Sequence, residues 1–111
     1  MSYSKYGNRK VEYDGQKFDS EKELNRWLEL RLLERAGEIT GLERQVRFRL
    51  IEPGRGKYRM EKAVDYIADF VYADNRSGAT VVEDCKGCRT DAYIIKRKLM
   101  LAIHGVSILE T

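Results

Sequence analysis

AVDYIADFVYADNRSGATVVEDCKG, residues 63–87, is the stretch that sets the fold. Its first part, 63–73, is a long run of Val, Ile, Tyr, Phe and Ala, the composition of a strand. DNRSG at 74–78 is turn chemistry, and ATVVEDCK at 79–86 is β-prone again. Two strands joined by so short a turn are expected to lie antiparallel and adjacent. Each carries an acid: Asp69 in the middle of the first, Asp84 near the end of the second. Strand side chains alternate, so residues two apart share a face at about 6.5–7 Å. Asp84 and Lys86 therefore point the same way, and Cys85 points the other way.

Elements on either side complete the layout. VEYDGQKF, 11–18, reads as a hairpin around the Asp14-Gly15 turn. Ser20 opens a helix with a Ser20-x-x-Glu23 capping box. Leu24, Trp27, Leu28 and Leu32 follow at helical spacing, and Gly37 ends the helix. ERQVRFRLI, 43–51, alternates as a strand with one wet face. PGRGKYRMEK, 53–62, is a basic loop or hairpin tip. Thr90 or Asp91 caps a second helix. There Ala92, Ile95, Leu99, Ala102 and Ile103 form one apolar stripe, expected to face the core, and Gly105 stops it. VSILE, 106–110, is a short closing strand. After the hairpin the order is α, β, β, β, α, β. The expected fold is an α/β sandwich with a mixed sheet, the last strand parallel to its neighbour after a helical crossover.

Composition bounds the rest. The chain has 111 residues, 21 Lys+Arg against 18 Asp+Glu and a net charge of +3, which fits one highly charged domain. That balance permits a polyanionic partner without requiring one. No apolar run is long enough to span a membrane. The N-terminal MSYSKYGNRK has no apolar core of a secretory signal, so a cytoplasmic location is expected. Cys85 and Cys88 form a lone CxxC, without the second pair that a four-ligand zinc site uses. Structural cysteines are the reading, with redox or metal roles as the alternatives.

A buried carboxylate is costly unless paired or metal-bound. Asp69 and Asp84 on adjoining strands, beside Lys86, make a seat for a hard divalent cation. The chemistry that uses such a set is phosphodiester hydrolysis. The cation offsets transition-state charge and lowers the pKa of a water, while the lysine orients that water or offsets phosphate charge. A helix acid often completes the set, with Glu23 and Glu21 as candidates.

These residues, in this order of elements, resemble the PD-(D/E)xK nuclease superfamily, which includes type II restriction enzymes and archaeal-type Holliday-junction resolvases. YDGQKFDSEKE, LERQVRF, YIADFVY, VVEDCKG and the KRK of the last helix resemble a small phage-type branch of it, over about residues 11–110. The resemblance implies a restriction-endonuclease-like αβββαβ core, preceded by the β-hairpin, in a single domain over residues 1–111. It implies Glu23, Asp69, Asp84 and Lys86 as catalytic residues. It implies Mg²⁺ or Mn²⁺ held by Glu23, Asp69, Asp84 and the Cys85 carbonyl. Ala68 stands where that superfamily often has proline before its first acid. Asp65, on the same face as Asp69, could substitute for it, whereas Glu83 lies on the opposite face from Lys86. Gln45 recurs in the branch's LERQ pattern with no role assigned.

Seven basic residues against two acids lie between Arg44 and Lys62, a local excess larger than that of the whole chain. Arg55, Lys57 and Arg59, with Tyr58 among them, could grip a nucleic-acid backbone or stack on a base. Lys96 and Lys98 lie on the helix after the lysine motif, where a scissile strand would run. The expected function is a metal-dependent DNA endonuclease. Lacking a separate recognition domain, it should select DNA structure, cutting branched DNA as a homodimer. The alternative is a non-catalytic DNA-binding accessory of recombination or packaging.

Overall fold

The Asp14-Gly15 turn closes as expected, both residues adopting positive φ (51° and 75°) between strands β1 (Val11–Tyr13) and β2 (Gln16–Phe18). The computed structural model describes residues 9–86 and 88–111. Most of the N-terminal stretch read for a secretory signal, and Gly87 within the CxxC, lie outside the described residues.

Helix α1 (Glu21–Arg35) follows. Ser20 caps it, its Oγ accepting from Glu23 N–H at 3.1 Å. The reciprocal bond shifts by one residue, because the Glu23 carboxylate accepts from Asp19 N–H at 2.8 Å and not from the cap itself. Gly37, in the left-handed region at φ 79°, ends the helix. Strand β3 (Ile39–Ile51) starts four residues before the expected 43. A ribbon of β4 (Gly54–Arg55) and β5 (Met60–Glu61) leads into β6 (Val64–Asp74) and β7 (Thr80–Asp84). Helix α2 (Asp91–His104) is capped by Thr90 and stopped by Gly105, and β8 (Leu109–Glu110) closes the chain. Four strands make the main sheet in the order β3-β6-β7-β8. The first two pairings are antiparallel, and β8 lies parallel to β7 with Asp84 opposite Glu110. The fold is thus the α/β arrangement expected, with helices flanking a mixed sheet behind an N-terminal hairpin. Among the described residues no helix is long and apolar enough to cross a membrane.

Strand β6 runs through two clusters of buried side chains. Tyr66 and Ala68 pack with Leu50, Val82 and α2's Tyr93 and Met100. Phe70 and Tyr72 pack with Ile39 and α1's Leu30. Asp69 falls between Ala68 and Phe70, at the seam.

Both helices turn inward a face that matches the expected one only in part, with Trp27 of α1 packing as read. In α1 the packing line is Glu23, Trp27, Leu30 and Leu33, whereas Leu32 is 62% exposed. The line begins on a charged residue, so counting hydrophobics favoured the neighbouring leucines. In α2 the buried residues are Tyr93 and Met100, seven apart and hence on one side of the helix. The predicted core stripe largely faces outward: Ala92, Ile95, Ala102 and Ile103 are exposed, and only Leu99 is partly packed. Tyr93 wins the inward position because its ring packs against Tyr66 while its hydroxyl donates to Glu110 at 2.6 Å.

Candidate active site

The short loop between β6 and β7 brings Asp69 and Asp84 to one place. The pairing of Phe70 with Glu83 puts them at the next rung, where β7 ends. Both line a cavity of about 360 Å³, together with Gln45, Asp65, Lys86, Tyr93 and Lys96. Cys85 N–H donates to Asp69 Oδ2 at 2.8 Å, which fixes the carboxylate across the strand gap. Lys86 Nζ stands 3.0 Å from Asp84 Oδ1 and 3.9 Å from the centre of the Tyr93 ring. The same-face reading of Asp84 and Lys86 is therefore reproduced in space. Lys22, on α1, donates to the Lys86 carbonyl at 3.1 Å and holds that backbone against the helix.

Burial pushes the Asp69 carboxyl up to about 7, with neighbouring Glu23 the next cause. Burial likewise pushes Asp84 up to about 6, followed by the charge on Asp69. Tyr66 and Lys86 act in the opposite direction on Asp84, both bonding to its ionised form. Tyr66 donates its hydroxyl to Asp84 Oδ2, and its own ionisation is strongly disfavoured, first by burial and then by that bond. Two carboxyls whose ionised forms are disfavoured by burial, that of Asp84 also by the charge on Asp69, form an electrostatic deficit that a cation would relieve.

The other sequence-predicted residues divide. Glu23 is buried beside the pair, but it bonds to Asp19 N–H and has Arg44 Nη2 at 3.9 Å. Among the described residues no group of three or more His, Cys, Asp or Glu side chains is gathered closely enough to hold a metal ion. The seat formed here is a two-aspartate seat. That set still fits Mg²⁺, which commonly takes one or two carboxylates and completes its shell with water and phosphate oxygens. Cys85 meets the site through its amide, and its side chain lines a separate cavity of about 500 Å³ with α1 and Thr111. That larger space lacks a comparable constellation, since its Arg26 is already engaged by Glu83. Both cysteines are free, and burial pushes the Cys85 thiol up, opposite to what a reactive thiolate requires. Asp65 does not replace Asp69: Arg47 and Arg49 bind it at 3.0 and 2.6 Å. Glu83 turns away into a buried network with Arg26 and Tyr72. Lys96 lines the cavity, whereas Lys98 is exposed and Arg55, Lys57 and Arg59 lie on the separate ribbon.

A family model described as "Protein of unknown function (DUF1064)" matches residues 3–105. The chain belongs to the DUF1064 family. No curated protein matches it, and no solved structure matches it.

Three residues of this DUF1064 member belong to the site without having been singled out for it in the sequence. Tyr66 orients Asp84, and Tyr93 carries Lys86 on its ring face. Gln45 is the third. It adopts φ 53° in the middle of β3, in the left-handed region that side chains other than Gly enter at a cost. Its Nε2 lies 3.5 Å from Asp69 Oδ1, the outer limit of a hydrogen bond. Tyr66 had a legible signal, an aromatic at an inward strand position beside an acid, whereas Tyr93 lay off the expected stripe of α2. A left-handed backbone at glutamine had none.

Proposed function

We propose that this chain is a metal-dependent DNA endonuclease, hydrolysing phosphodiester bonds in branched DNA as a homodimer in the cytoplasm (the host's, if it is phage-encoded). The observation that carries this reading is the convergence of half-buried Asp69 and buried Asp84 in one cavity, with the Lys86 ammonium 3.0 Å from Asp84. Asp69 and Asp84 would hold Mg²⁺ or Mn²⁺, which supplies transition-state charge neutralisation and a water of lowered pKa. Tyr66 keeps Asp84 in one orientation. Cys85 N–H does the same for Asp69. Lys86, steadied by Tyr93 and by Lys22 at its carbonyl, offers a positive charge to the scissile phosphate. Lys96, at the cavity rim, and exposed Lys98 would contact flanking phosphates. A homodimer follows from the need for two symmetric cuts at a four-way junction.

A synthetic four-way junction and a linear duplex of equal length, each with Mg²⁺ or Mn²⁺, test the proposal. Junction cutting that leaves 3′-hydroxyl and 5′-phosphate ends, and stops on adding EDTA, is the expected result. Intact junctions with both metals, or cutting indifferent to EDTA, would refute it. The engagement of Glu23 by Asp19 and Arg44 favours a second reading, a non-catalytic DNA-binding accessory. That protein would bind DNA with a steep salt dependence and never cut it.

Gln45→Gly is expected to separate stability from activity. Glycine adopts a φ near 53° without strain, so the variant should gain up to about 1 kcal/mol in urea unfolding. Junction cutting should fall about tenfold as the amide leaves the cavity. A destabilised variant would show that the side chain contributes more to folding than its backbone costs.

A further inference from the structure

The β4–β5 ribbon stands apart from the main sheet as a two-stranded hairpin, pairing only Gly54 with Glu61 and Arg55 with Met60. Gly56 N–H donates to the Arg59 carbonyl at 2.8 Å across its end, which leaves Lys57 and Tyr58 at the tip. A side chain on Gly56 would approach that carbonyl to 3.1 Å, so the closed tip is tight at this position. Tip positions of such hairpins favour Asn, Asp and Gly, residues suited to turns and to water. Here the tip carries an aromatic ring that is 84% exposed. Lys57 Nζ lies 5.3 Å from the ring centre. Arg55 and Arg59 flank it, both exposed. The ring contributes nothing to the core, and an exposed ring among three cations is poorly suited to an apolar protein partner. It suits a ligand that offers a flat π-face on a phosphate chain.

We propose that the ribbon tip is a stacking platform for an unpaired nucleobase, with Tyr58 supplying the ring and Arg55, Lys57 and Arg59 contacting the adjoining phosphates. The proposal deepens the nuclease reading and rests on it for the nature of the substrate: the ribbon reads the branch while the Asp69/Asp84 cavity acts on a flanking strand. Chain geometry bounds the distance between the two. Eleven residues separate Tyr58 from Asp69, at most roughly 36 Å of extended chain. That is about ten nucleotides of one strand at about 3.4 Å each. The base read by the tip therefore lies within one helical turn of the bond acted on.

Fluorescence anisotropy in EDTA, where nothing is cut, tests the platform. The probes are a linear duplex, a forked duplex with single-stranded arms, and the same fork carrying 2-aminopurine at the first unpaired position. The full chain is expected to prefer the fork and to quench the 2-aminopurine. Tyr58→Ala should weaken fork binding about tenfold, abolish the quench, and leave duplex binding within twofold. Tyr58→Phe should retain all three properties. Because Tyr58 is so exposed, neither variant endangers folding. Equal weakening on fork and duplex, or no effect on either, would overturn the proposal. So would Tyr58-dependent binding to anionic phospholipid vesicles without a fork preference. Tyr58-dependent fork binding in a chain that cuts nothing with Mg²⁺ or Mn²⁺ would leave the platform standing and remove the nuclease reading.

Discussion

Asp69→Asn is expected to reduce junction cutting by at least about a thousandfold, and to make the metal-free protein more stable at pH 8. Both effects have one origin. In the folded chain the Asp69 carboxyl titrates at about 7 and that of Asp84 at about 6, each displaced first by burial. Unfolded, both would titrate near the ordinary aspartate value of about 3.9. Between about pH 4 and 7 the native state therefore holds protons that the unfolded state has released. The contribution of these two carboxyls to the stability of the metal-free protein falls as pH rises through that window. Asparagine at 69 removes one half-buried charge and relieves Asp84 of a like charge that raises it. The variant should gain roughly 2 kcal/mol at pH 8 and show a flatter pH dependence. Mn²⁺ should raise the melting temperature of the wild type at pH 8 and leave the variant unmoved. Thermal melts at pH 5 and pH 8, with and without Mn²⁺, read all of this. A variant that cuts at the wild-type rate, or melts identically under every condition, would remove Asp69 from the site.

Glu83→Ala should be the most damaging single substitution for folding, at about 3–5 kcal/mol. Glu83 is fully buried, and four side-chain donors converge on its carboxylate. Arg26 Nε and Nη2 donate at 2.6 and 2.9 Å, Tyr72 at 2.7 Å and Thr111 Oγ1 at 3.2 Å. Removing the acid leaves the Arg26 guanidinium, most of whose side chain is shielded from water, with exposed Glu29 as its remaining partner, and takes the acceptor from the Tyr72 hydroxyl. Arg26 sits three residues after Glu23 on α1, and Glu83 immediately precedes Asp84 on β7. The ion pair therefore ties the helix to the strand end that bears the candidate acids. The double variant Glu83→Leu with Arg26→Met should recover much of the loss, because an apolar pair leaves no charge unpaired. Urea midpoints for the single and double variants measure the coupling. A Glu83→Ala protein within about 1 kcal/mol of wild type would show that the network contributes little net stability.

Local periodicity accounts for what could be read from the chain. Alternation along 63–73 and 79–86, with a turn between them, placed Asp69 and Asp84 on adjoining strands and Lys86 on the same side as Asp84. The capping residues Ser20 and Thr90, and the stops at Gly37 and Gly105, all lie where expected, because each acts within one turn of chain. Strand alternation likewise sent Glu83 away from Lys86, but nothing near it in sequence announced that Arg26, fifty-seven positions earlier, would receive it.

By itself the sequence determined the element types, the sheet's mixed order and the co-location of two acids and a lysine, all consequences of backbone periods acting over a few residues. Only the tertiary structure decided which faces of α1 and α2 turn inward, that Glu23 bonds to Asp19, that Tyr66 holds Asp84, and that Gln45 enters the cavity on a left-handed backbone. Those outcomes depend on competition among contacts far apart in the chain. An apolar stripe such as Ala92–Ile95–Ala102–Ile103 can lose the core to Tyr93 and Met100, because packing fit and hydrogen-bond partners, rather than hydrophobicity alone, set the winner.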